Sequence, residues 1–191
     1  VATNPEKTLH DLEKFDLLLV PKPTEPFTDA QKQVVDQYIM NGGRALWLID
    51  NVAVSLEDMY KTGGMTMAMP INLNLTDMFF QYGFRINYTL VNDLYFSEII
   101  VATGNGSQTR YMPIPWVYNP LVISSNNHLI NNHLDAVRFQ FANSIDTLKN
   151  GVKKTVLLTS SPFSKADGTP REINLRFDPN NQNKEAYKHG N

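Results

Sequence analysis

The sequence predicts an α/β domain with a mostly parallel core sheet and some β-hairpin additions. Three observations carry that expectation. The runs at 15–20, 44–49 and 155–159 are almost continuously apolar, as strands buried on both faces of a parallel sheet are. The first two flank a helix with clear start and stop signals, so strand, helix and strand span about 36 residues, the length of a βαβ unit. A glycine-centred turn at 104–107 lies between two further strand candidates, which suits a hairpin.

The elements follow in order. Residues 1–14 read as a polar connector with a short helical piece near Leu9 to Leu12. The strand Phe15-Asp16-Leu17-Leu18-Leu19-Val20 then runs into Pro21, Lys22 and Pro23, and these prolines hold the following loop extended. Thr28 with Gln31 three residues on is a capping-box pattern. Ala30, Val34, Val35, Tyr38 and Ile39 give the helix one apolar side, and Gly42-Gly43 stops it. The strand 44–50 follows, ending at Asp50. Residues 51–73 read as a long excursion at the sheet edge. Asn74 and Asp77 suit the cap of a short helix over 75–82, closed by Gly83.

Further strands are expected at 84–86, 98–103, 108–112 and 121–123, at 137–141 from its clean alternation, and at 172–177. The segment 113–120, with three prolines, is expected to be rigid and extended. One α/β domain is therefore expected over 15–178, followed by a polar tail at 179–191 that continues into a longer protein.

Composition narrows the function. The chain has 191 residues, of which 42% are hydrophobic and 19% charged, enough for a sizeable core. Net charge is −2 with no basic run, so the electrostatic footprint of a nucleic-acid-binding protein is missing. The sequence has no cysteine, which removes thiol catalysis, disulfides and cysteine-held metals. No stretch approaches the roughly 18 apolar residues of a membrane span.

In a parallel α/β sheet, ligands bind at the C-terminal ends of the strands. The residues delivered there would be Asp50 and Asn51 after the second strand and Ser160 and Ser161 after the third, with Pro21 and Lys22 after the first. The alternative for each is a polar residue that ties down its own loop. Ser160 or Ser161 as a hydrolase nucleophile lacks the G-x-S-x-G setting, and Pro162 follows directly. His128 and His133 are five apart, a spacing that does not stack on one helix face, so no metal site is expected. No motif calls for a cofactor. Tyr111, Trp116 and Tyr118, set among prolines, suit a partner-binding edge, since aromatics dominate interface energy. The competing account is a loop folded over its own core, as large aromatics usually are.

Four segments together resemble a known family. They are 15–24, 36–50, Asn74-Leu75-Thr76-Asp77 with Tyr82-Gly83, and Leu157-Leu158-Thr159-Ser160-Ser161-Pro162. The family is the GldG-like auxiliary component of gliding-motility ABC transporters, within a wider group of ABC-transport auxiliary proteins. The likeness covers residues 12 to about 170. It implies a three-layer, flavodoxin-like fold related to class I glutamine amidotransferases, whose cysteine nucleophile this chain lacks. It also implies a non-catalytic role beside a permease and an ATP-binding subunit, on the periplasmic side of the inner membrane, tethered by segments outside this chain. A small-molecule or glycan-binding module and a serine hydrolase are the rival functions.

Overall fold

A computed structural model describes residues 4–104, 109–124, 128–175 and 187. In chain order the elements are α1 (Pro5–Leu12), β1 (Leu17–Pro21), α2 (Asp29–Met40), β2 (Arg44–Leu48), β3 (Val52–Ala53), α3 (Leu56–Lys61), β4 (Met65–Pro70), α4 (Thr76–Gln81), β5 (Phe84–Ile86), β6 (Thr89–Asp93), β7 (Ile99–Thr103), β8 (Arg110–Ile114), β9 (Leu121–Ser124), β10 (Val137–Arg138), β11 (Ile145–Thr147), β12 (Leu158–Thr159), β13 (Ser164–Gly168) and β14 (Arg171–Asn174). The contacts divide the chain into two compact units. The first comprises Val1–Asn51, Pro70–Asn87 and Ile145–Val152; the second comprises Val52–Met69, Tyr88–Ser144 and Lys153–Asn191.

The first unit contains the expected strand–helix–strand unit. Thr28 caps α2 through both arms of the capping box: its hydroxyl accepts from Gln31 N and its own N–H donates to Gln31 Oε1 at 2.8 Å. The helix ends at Gly42, whose φ of 96° is the left-handed cap. Gly43 is needed for a different reason: a Cβ there would lie 2.4 Å from the Tyr38 ring. Tyr38 is buried beneath it and donates its hydroxyl to Phe15 O. β1 and β2 pair in parallel, Leu17 opposite Arg44 through Pro21 opposite Leu48. On one face of that pair Trp47 meets Phe79 edge-on at 5.2 Å, over a small core of Leu73, Leu75, Met78 and Phe79. β5 and β11 pair antiparallel beside it.

The parallel core does not form. Among the described residues the strands sort into six small sheets, and β1–β2 is the one parallel pair in a described register; the others are antiparallel. The three-layer, flavodoxin-like and amidotransferase-like fold is therefore corrected to a set of small, mostly antiparallel sheets with, among the described residues, four helices. The error lies in taking an apolar run for burial on both faces. β1 and β2 each alternate exposed and half-buried residues, leaving Leu17, Leu19, Leu46 and Leu48 about half exposed on a shared face. Of the third run only Leu158 and Thr159 form a strand, and they pair antiparallel with Ser124 and Ile123 of β9.

Local readings also shift. α4 begins at Thr76 with no side-chain cap; Asn74 adopts a positive φ of 56° and donates to Phe27 O, while Asp77 takes the ammonium of Lys32 at 2.7 Å. The 51–73 stretch is structured as β3, α3 and β4, with Ser55 capping α3. The alternating run 137–141 yields only two strand residues, because Phe141 turns into the left-handed region at φ 54°. The turn at 105–107 lies outside the described residues.

The second unit has one apolar core. Val52, Met59, Ala68, Leu90, Ile99, Trp116, Val117, Tyr118, Phe141 and Ile173 gather around the indole of Trp116. β6 pairs with β13, β4 with β14, and β7 with β8, all antiparallel.

Candidate functional site

The residues expected at one crevice belong to separate units. Asp50 and Asn51 end the β2 segment in the first unit; Ser160 and Ser161 follow β12 in the second. β12 does not share a sheet with β1 and β2. Asp50 is half exposed and pairs with Lys22 Nζ at 3.0 Å across the ends of β1 and β2. Asn51 is buried. Its side-chain amide donates to Ile86 O at 3.0 Å, and its carbonyl accepts from Ile71 N at 2.8 Å, so it ties the chain to β5 and to the strand-to-helix loop. A polar cleft of about 420 Å³ does open at the opposite, N-terminal ends of β1 and β2, lined by Glu13, Asp16, Tyr38, Asn41, Gly43 and Arg44.

Ser161 is buried and fully engaged. Its hydroxyl donates to Asp93 Oδ1 at 2.5 Å and accepts from Phe163 N at 3.1 Å, while its own N–H donates to Asp93 Oδ2 at 2.8 Å. Those bonds hold the 160–163 loop onto the end of β6. On the hydroxyl itself they engage the proton and one of the two lone pairs. Ser160 shares a hydrogen bond of 2.8 Å with Ser164 Oγ. Among the described residues no group of three or more His, Asp or Glu side chains is placed to hold a metal ion.

The richest polar constellation lies on the paired strands β6 and β13. In their register Asn92 faces Lys165, and Asp167 lies two residues further along β13. Asn92 is 4% exposed; its amide donates to Asp167 Oδ2 at 3.0 Å, and its oxygen accepts the Tyr187 hydroxyl at 2.9 Å. Asp167 also takes Arg171 Nη1 at 3.1 Å, Lys165 Nζ at 3.6 Å and the Tyr118 hydroxyl at 3.4 Å. The ammonium of Lys165 sits 4.7 Å from the Tyr187 ring centroid. The buried carboxylate is thus met by two cations, one phenol and the Asn92 amide.

Burial removes water from both phenols and disfavours their ionised forms, and the Asp167 charge adds to it. Tyr187 is pushed up to about 12, and Tyr118 is raised in the same direction for the same two causes. The sign follows directly. A tyrosine in the unfolded chain ionises near pH 10, so the folded state binds its phenolic protons more tightly. That contribution to stability is fully present below about pH 10 and is lost as pH rises towards 12. Urea midpoints should therefore fall between pH 10 and 12, and Tyr187→Phe should flatten that fall. A midpoint that stays level across the window would contradict it.

The aromatic–proline segment divides. Trp116 has no exposed surface; it packs edge-on against Phe141 at 5.1 Å and Tyr118 at 5.7 Å, and its indole N–H points to Asn174 O at 3.4 Å. Tyr118 is buried with it. The chain turns there, with Asn119 N donating to Trp116 O, in place of the extended run expected. Tyr111 is 74% exposed, on the outer face of the β7–β8 hairpin beside Ile100, Ala102 and Pro113.

Sequence reasoning did not single out Asn92, Asp93, Lys165, Asp167 or Tyr187. The pair Asn92-Asp93 did carry a signal: two polar residues interrupt Leu90-Val91 and Leu94, which is where a satisfied buried network would show. Tyr187 carried none, sitting in a polar stretch read as a tail.

No helix among the described residues is long and apolar enough to cross a membrane. A family model described as "ABC-type uncharacterized transport system" matches residues 1–191. No curated protein and no solved structure matches the chain.

Proposed function

The chain belongs to the ABC-type uncharacterized transport system family, as an auxiliary component, and from that premise we propose that it is a non-catalytic module that binds the transporter's permease subunit. The observation that carries this reading is the leucine face of the first unit. Leu17, Leu19, Leu46 and Leu48 sit in register on one side of β1–β2, each about half exposed. Paired parallel strands are ordinarily covered on both faces, and a contiguous apolar patch left open marks an interaction surface. The engaged state of Ser161 favours binding over hydrolysis. The resemblance to gliding-motility proteins supports a role in that class of transporter, on the periplasmic side of the inner membrane and alongside an ATP-binding subunit.

The test is a double substitution, Leu19→Lys with Leu46→Glu. These positions face each other across the strands, so the new charges pair and add no repulsion. Because both side chains are already half in water, stability should change by about 1 kcal/mol or less. Co-purification with the transporter's permease subunit should be lost. A folded double variant that still co-purifies would remove the leucine face as the contact. Tyr111→Ser on the exposed hairpin is the parallel test of the aromatic segment.

A further inference from the structure

β4 carries Met65, Met67 and Met69 at alternate positions, three of the chain's seven methionines. Alternate residues of a strand share a face, so the three thioethers form one row. That row points away from the core. All three are about half exposed, while Ala68 is fully buried and Thr66 half-buried on the other face. β4 is the central strand of the β14–β4–β3 sheet, so both its edges are paired and the backbone fixes the direction of the row. On β14, Glu172 stands directly opposite Met67 and is exposed on the same face. Neither packing nor strand propensity accounts for methionine at these positions. The three lie outside both apolar clusters, and methionine is not among the residues that strands enrich. What it adds over leucine or valine is a soft, polarisable sulfur donor.

We propose that Met65, Met67 and Met69 form a surface site for a soft monovalent metal ion, Cu(I), held between the sulfurs of neighbouring methionines with the Glu172 carboxylate beside it. Neighbours in the row are about 6.5 Å apart along the strand, and three rotatable bonds let two such side chains lean together over one ion. The outer two are about 13 Å apart and share no ion without the middle one. Met67 therefore belongs to both pairs and is the central ligand. Thioethers select Cu(I) over magnesium and calcium, which take oxygen ligands. The chain has no cysteine, so no thiolate within it competes for the ion. The site is independent of the permease reading, since the leucine face belongs to the first unit and the methionine row to the second.

The experiment uses the 191-residue chain with isotope-labelled methionine methyl groups, titrated with Ag(I), a redox-inert stand-in for Cu(I), and followed by NMR. Single Met→Leu substitutions assign the signals. The methyls of Met65, Met67 and Met69 should shift and saturate, while those of the buried Met59 and Met78 stay in place. Zinc, which prefers histidine and thiolate, should shift none of the three. Competition with a chromogenic Cu(I) chelator, under anaerobic reducing conditions, then gives the affinity. Met67→Leu should weaken it at least tenfold. Met65→Leu and Met69→Leu each leave one pair intact and should weaken it by a smaller factor, as should Glu172→Gln. Met40→Leu, at an exposed methionine of the first unit, should leave it unchanged. Leucine keeps the apolar surface and removes only the sulfur, so the melting temperature should be level across the series. Ag(I) that shifts none of the three methyls, or a Met67→Leu chain that binds Cu(I) as tightly as the parent, would overturn the site.

Discussion

Replacing Trp116 with alanine should cost about 3–5 kcal/mol of stability, the range for a large aromatic lost from a core. The indole has no exposed surface and forms the centre of the second unit's apolar cluster, so nothing nearby is free to collapse into the space. Two edge-on aromatic contacts, with Phe141 and Tyr118, go with it, each adding about 0.5–1.5 kcal/mol beyond burial. Trp116→Phe keeps part of the volume and should cost about half as much. Tyr111→Ser, only five positions away in the chain sequence and largely in water, should shift stability by about 0.5 kcal/mol or less. Urea unfolding with an unchanged m-value is the measurement. A Trp116→Ala protein as stable as the parent would mean that the indole is not packed as described and would return it to the role of a partner anchor.

The contrast between Trp116 and Tyr111 shows what sequence can and cannot carry. Composition placed three aromatics among prolines, and both an interface and a core were consistent with that. Burial is decided by which face of β8 a residue occupies and by where the chain turns after Pro115, and neither is written in the local pattern. Local chemistry was legible where a few adjacent residues settle it. Thr28, Gln31 and Gly42 specify their helix ends by bonds and φ values confined to one turn. The apolar runs at 15–20 and 44–49 marked the strands that form at Leu17–Pro21 and Arg44–Leu48, and their parallel pairing. What the runs did not reveal was the sheet around them. A leucine in a half-exposed strand and one in a buried strand have the same identity, so the open face of β1–β2 was read as a covered one.

The site was legible in the same uneven way. Ser161 was singled out for standing after a strand, yet its setting depends on Asp93, 68 residues earlier. Pairing between β6 and β13 brings the two together, and no strand was expected at either place. Long-range pairing of short strands leaves little periodic signal, because three to five residues complete too few alternations to stand out. Polar residues inside the apolar run at 90–94 were the available clue.

Asp93 should be the most sensitive polar position in the second unit. Its carboxylate is wholly buried and accepts three hydrogen bonds, from Ser161 N, Ser161 Oγ and Tyr95 N, while its own N–H donates to Val117 O. One side chain therefore pins the end of β6, the 160–163 loop and, through its backbone, the turn that carries Trp116. Asp93→Ala leaves two backbone N–H groups and a hydroxyl without their acceptor, at about 1–3 kcal/mol for each that finds no other partner. Water entering the space would restore some of them, so the expected loss is about 3–5 kcal/mol. Asp93→Asn keeps the size and one acceptor oxygen but turns an NH₂ towards groups that also donate; it should cost about 2–3 kcal/mol. Ser161→Ala removes one donor to the carboxylate, which keeps its two backbone bonds, and the acceptor of Phe163 N, for a loss of about 1–2 kcal/mol. The order of the three matters more than any one value. A carboxylate kept for chemistry is commonly held at a cost to the fold, so neutralising it leaves stability level or raises it. Denaturation that ranks Asp93→Ala below Asp93→Asn, and both below Ser161→Ala, fits a bracket that positions a loop. A more stable Asp93→Asn protein would instead mark the Asp93–Ser161 pair as a strained functional group and reopen the hydrolytic reading of Ser161.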